Sequence, residues 1–95
     1  MTTKQRAFLK GLAMKLDCIL SLGKSSLTPE FTNAVDEALE ARELIKINVL
    51  KTCDIDLNEI AIEIARVNHC ELVQKIGKTL VFYKKAKEPK IIFND

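Results

Sequence analysis

Six consecutive residues, Gly23-Lys24-Ser25-Ser26-Leu27-Thr28, combine groups that together suit a phosphate. They lie between an apolar run, Cys18 to Leu22, and a helix start. That order predicts a strand-to-helix turn, where unpaired backbone N–H groups and the helix dipole favour an anion. Gly23 allows close backbone approach, Lys24 adds a cation, and the Ser25 and Ser26 hydroxyls donate further hydrogen bonds. An ordinary solvated turn has the same composition, so the loop needs support from its surroundings. The Gly-Lys-Ser triplet is not a nucleotide-binding P-loop, because that motif requires glycine five residues before Gly23 and Cys18 stands there. Ninety-five residues also leave little room for the acidic metal-holding strand of such an enzyme.

Other reactive residues form no catalytic pattern. His69 and Cys70 are adjacent, but neighbours on a strand point to opposite faces and share neither a metal nor a proton. Cys18, Cys53 and Cys70 are far apart, with no CxxC pair, which argues against a disulfide framework and a structural zinc site. Asp36, Glu37, Glu40, Glu43, Glu59 and Glu63 read as solvated helix faces. A non-enzyme with neither metal nor cofactor is expected.

Charge is unevenly distributed. The net charge is +2, yet residues 1–29 carry five bases and one acid, residues 30–71 four bases and ten acids, and residues 72–95 six bases and two acids. Both ends are therefore basic and the middle acidic, and ends that met in the fold would present one positive face. No apolar run reaches the roughly 18 residues of a membrane span, and the first six residues do not resemble a signal peptide. These features, with unpaired cysteines, predict one soluble cytoplasmic domain over residues 1–95.

Periodicity supplies the elements. Thr2 or Thr3 caps a first helix in which Leu9, Leu12, Ala13 and Leu16 share a face, leaving Lys4, Arg6, Lys10 and Lys15 to solvent. Cys18 to Leu22 reads as a buried strand. Thr28-Pro29-Glu30 opens a helix running to about Arg42: threonine accepts from orphan amides, proline fits the first turn, and glutamate suits the dipole. Leu44 to Leu50 alternates, with Ile45, Ile47 and Val49 buried and Lys46 and Asn48 on a wet face. Asp56 and Glu59 begin a third helix reaching about Asn68, and Gly77-Lys78 turns a hairpin between Glu71–Ile76 and Thr79–Lys84. Residues 86–95 read as a tail that need not be ordered. The order α-β-α-β-α-β-β predicts a small two-layer α/β sandwich with a mixed four-stranded sheet.

The residues Lys4-Gln5-Arg6, Leu9, Leu12-Ala13, Leu22-Gly23-Lys24, Leu27-Thr28, Ala38-Leu39-Glu40-Ala41, Glu43-Leu44-Ile45-Lys46, Glu71-Leu72-Val73-Gln74, Ile76-Gly77 and Tyr83 together resemble the CRM domain in its stand-alone bacterial YhbY-like form. The resemblance spans nearly the whole chain. It implies a fold like the C-terminal domain of translation initiation factor three, and RNA binding. In bacteria it implies association with precursors of the large ribosomal subunit; plant relatives act in organellar intron splicing. The family's loop usually reads Gly-x-x-Gly, as in the backbone-clamping loop of KH domains, whereas Ser26 replaces the second glycine here. Either the loop keeps its geometry with Ser26 in an ordinary conformation, or its hold on phosphate is altered. Met14 stands where many relatives have histidine.

The expected RNA contacts are Gly23, Lys24, Ser25, Ser26 and Thr28 in the loop, Lys4, Arg6 and Lys10 on the first helix, Lys46 on the strand, and Lys75, Lys78 and Lys84 around the hairpin. They would hold phosphate more than read sequence. Ribosomal RNA of large-subunit precursor particles is the expected partner, with neither DNA nor membrane, and the chain is expected to act as a monomer. The rival reading is a protein-interaction module whose acidic helical face docks a basic ribosomal protein.

Overall fold

A computed structural model describes residues 1–23, 27–53 and 55–92. Its elements are α1 (Thr3–Ala13), β1 (Leu20–Leu22), α2 (Pro29–Arg42), β2 (Leu44–Val49), α3 (Leu57–Val67), β3 (Glu71–Ile76) and β4 (Thr79–Tyr83). Local chemistry sets the helix starts. Thr2 Oγ1 accepts from Gln5 N while Gln5 Oε1 accepts from Thr2 N, both at 3.0 Å, a reciprocal capping box. Thr28 Oγ1 accepts from Phe31 N with Pro29 in the first turn, and Asp56 Oδ2 accepts from Asn58 N and Glu59 N.

The sheet order is β1-β2-β4-β3, with β1 parallel to β2 and the remaining pairs antiparallel. Ile45, Ile47, Leu80 and Phe82 face α2 and α3, where they close over Val35, Leu39, Ile60 and Ile64. These large side chains are almost wholly buried, each stabilising the fold by about 1.5–3 kcal/mol. Sheet, α2 and α3 form two layers of the expected α/β fold, and α1 makes a third. α1 lies across the other face, setting Leu9 and Ala13 on Leu44, Val73 and Val81.

Two buried polar side chains join distant segments. Asn68 Nδ2 donates to Thr32 O at 2.9 Å and to Asp36 Oδ1 at 2.7 Å, fastening the end of α3 to α2. Glu43, at the end of α2, has φ 63° and a fully buried side chain rather than the solvated carboxylate its sequence context suggests. Its carboxylate accepts from the backbone N–H groups of Ala86, Lys90 and Ile91. Residues 84–92 are thus held beside the end of α2, with Ala86 buried and Ile91 packed against the α1 side of the core. The part of the expected tail that is described is held in place because Glu43 would otherwise be a buried charge without donors.

Candidate functional site

Sheet topology decides which residues meet. Since β1 and β2 are parallel, their carboxyl ends share one end of the sheet, and the antiparallel β3–β4 hairpin returns its turn to the same end. Leu50 N donates to Leu22 O at 2.8 Å and Val49 N to Lys78 O at 2.7 Å, bringing Gly23, the turn after β2 and the hairpin side by side. α2 and α3 also start here. This loop end therefore combines a strand-to-helix connection, two turns and two helix amino ends.

Of the twelve residues expected to touch RNA, Gly23, Thr28, Lys75 and Lys78 lie at the loop end, whereas Lys24, Ser25 and Ser26 lie outside the described residues. Gly77 has φ +56°, the left-handed first position that a two-residue hairpin turn favours in glycine, and it leaves Lys78 exposed at the tip. Lys75 Nζ donates to Asn58 Oδ1 at 2.7 Å, so it ties the hairpin to α3. Lys51, on the turn after β2, is exposed at this end as well. In the sequence Lys51 falls within the acidic middle of the chain, and its place just past the alternating run of β2 is the signal that marks it. Carboxylates are present too, Glu30 and Glu59 in the first helical turns and Asp56 as a cap, beside the exposed Lys51, Lys75 and Lys78. Gly23 does not require glycine for its own backbone: its φ is not left-handed, and a Cβ would meet Leu50 Cδ1 and Thr52 Oγ1 at an ordinary 3.5 Å.

The other expected bases are placed differently. Arg6 Nη1 donates to Leu72 O at 2.5 Å and Val73 O at 3.0 Å. The β3–β4 register slips between Leu72 and Gln74, leaving Val73 as an extra residue, and the guanidinium satisfies carbonyls that the bulge removes from the ladder. Arg6 thus supports the sheet instead of presenting a free cation. Lys46 is half-buried, not wet, because the chain leaving α1 crosses it and its Nζ donates to Leu16 O at 3.2 Å. Lys84 follows β4 at the opposite end of the sheet, where its N–H donates to Glu43 O, so it does not flank the hairpin turn. Lys4 is exposed near the start of α1, and Lys10 is half-buried one turn beyond Arg6. Among the described residues these bases therefore form no single patch: Lys75 and Lys78 lie at the loop end, Lys84 at the opposite end, and Arg6 and Lys46 against the chain segments that cover the sheet's α1 face.

Cys70 and Tyr83 both pack against the core. Burial pushes the Cys70 thiol up to about 12, beside Ile64 O, which keeps it a protonated core residue. Tyr83 is half-buried against the α1 side of the core; burial raises its pKa, with the Glu43 charge adding to the effect. For Glu43 burial pushes upward, but the amides of Lys90, Ile91 and Ala86 and the charge of Lys90 prevail, leaving its carboxyl below the ordinary glutamate value.

The family model of the CRS1/YhbY (CRM) domain matches residues 1–84. The chain belongs to this family. Relatives of this CRM protein include a Bacillus subtilis chain named "Probable RNA-binding protein YqeI", 42% identical over 92 residues, covering 97% of this chain and 96% of the relative. A Haemophilus influenzae chain named "RNA-binding protein" is 38% identical, covering 96% and 92%. The solution structure of SAV1595 from Staphylococcus aureus, described as an RNA-binding candidate, superposes with a TM-score of 0.80 at 38% identity, covering 95% of the CRM chain and 94% of that chain.

Proposed function

We propose that this CRM protein binds RNA, and that it acts in the bacterial cytoplasm as a non-catalytic assembly factor on large-subunit precursor ribosomal RNA. The observation that carries the RNA-binding reading is the meeting, at one end of the sheet, of Gly23, Lys51, Lys75, Lys78 and the amino end of α2. Turns, lysines and helix amides suit a sugar-phosphate strand better than a small substrate, because they offer many weak anion contacts. The names of the relatives support the same reading. Lys24, Ser25 and Ser26 would complete the contact from the connection between Gly23 and Leu27.

The ribosomal part of the proposal is tested by sedimenting cell extract with tagged protein at low magnesium. Co-migration with large-subunit precursor particles, abolished by nuclease, is expected. Migration with particles that survives nuclease and tracks a ribosomal protein would instead favour docking through the acidic α2–α3 face.

A further inference from the structure

A second anion-seeking surface lies at the other end of β1 and β2, opposite the loop end. An open groove of about 820 Å³ runs between the end of α1, the end of α2 and the C-terminal segment. Four cations line it, Lys15, Arg42, Lys46 and Lys90, against one lining carboxylate, Asp17, with the buried Glu43 carboxylate close to Lys90. Its floor is aliphatic, formed by Leu12, Leu16 and Ile91, which belong to the α1 side of the core. Lys46 is fixed by its bond to Leu16 O, so one charge is held against the floor rather than swinging into solvent.

This pairing narrows the ligand. A bare phosphate would gain nothing from the aliphatic floor, and a fatty-acid carboxylate would answer only one of four cations. A nucleotide within a strand offers an apolar base face, which packs on an apolar side-chain surface, and a phosphate on either side. We infer that the groove takes one unstacked nucleotide of a single-stranded RNA segment, with the base on the floor and the adjoining phosphates on Lys15, Arg42 and Lys90. This rests on the RNA-binding reading but on different residues, about 20 Å from the loop end along β2.

The test measures binding of the full chain to a fluorescent single-stranded oligoribonucleotide over a range of salt. Replacing Lys15 and Arg42 with alanine should weaken binding roughly tenfold and lower the salt slope by about 1.4, from two contacts at about 0.7 each. Ala41→Phe, at an exposed position lining the groove, should weaken binding several-fold with the slope unchanged, because it fills the base site and leaves the charges. Thermal melts verify folding, and 4-thiouridine crosslinking to wild-type protein should label residues 12–19 or 41–46. Unchanged affinity in both groove variants, with loss in a Lys51→Ala, Lys78→Ala variant, overturns the groove and leaves the loop-end reading standing. Unchanged affinity in all of them overturns both. Loss in the double alanine variant without loss in Ala41→Phe shows a charged patch with no base site, and adenosine monophosphate binding the groove while RNA ignores the variants shows a free-nucleotide site; each overturns the inference.

Discussion

The buried carboxylate of Glu43 accepts a hydrogen bond from the backbone N–H of Ala86 at 3.1 Å, joining the end of α2 to a segment 43 residues further along the chain. Lys90 and Ile91 donate to the same carboxylate, and Lys84 N donates to the Glu43 carbonyl at 3.0 Å. One residue therefore anchors the C-terminal segment through both its side chain and its backbone.

Replacing Glu43 with alanine should destabilise the protein by about 2–4 kcal/mol, since three N–H groups lose their acceptor. The pH dependence has a definite sign. A carboxyl whose native pKa lies below its unfolded value of about 4.3 contributes fully above that value, and the contribution is lost as pH falls through the native pKa. Chemical denaturation between pH 3 and 7 should show wild-type stability falling at the acid end, with a shallower fall in Glu43→Gln.

Arg6→Ala should lower stability by about 1–3 kcal/mol, because the Leu72 and Val73 carbonyls lose their donor at the bulge. Its RNA-binding salt slope should match wild type, as the guanidinium is turned toward the sheet. A melting midpoint lowered by several degrees together with an unaltered slope would show both.

His69 follows the end of α3 with φ 51°, a left-handed conformation that glycine adopts without a Cβ penalty. His69→Gly should therefore raise stability by about 1 kcal/mol, read as a higher denaturation midpoint with the same denaturant slope.

How much the sequence reveals depends on the range of the interaction that fixes each feature. The start of α2 is legible because Thr28, Pro29 and Glu30 act within one turn. The β3–β4 hairpin is legible because Gly77 supplies the positive φ its turn uses. Glu43 reads as a surface acid because its donors lie more than 40 residues away, and its neighbours Glu40 and Arg42 are exposed. The Val73 bulge carries no glycine or proline to mark it, so the structural duty of Arg6 has no local sign. Lys46 alternates correctly yet is covered, since alternation gives the face of a strand but not what crosses that face. For the candidate site, the chain order places Gly23 before a helix, but only the strand order β1-β2-β4-β3 brings Lys51 and Lys78 beside it.

The most direct test of RNA contact at the loop end is the salt dependence of binding to a large-subunit ribosomal RNA fragment, compared between wild type and a Lys24→Ala, Lys78→Ala variant. Losing two phosphate contacts should reduce the slope of log K against log salt by about 1.4–1.8, with affinity down at least tenfold in low salt and the fold intact. An identical slope and affinity in the folded variant would contradict the assignment.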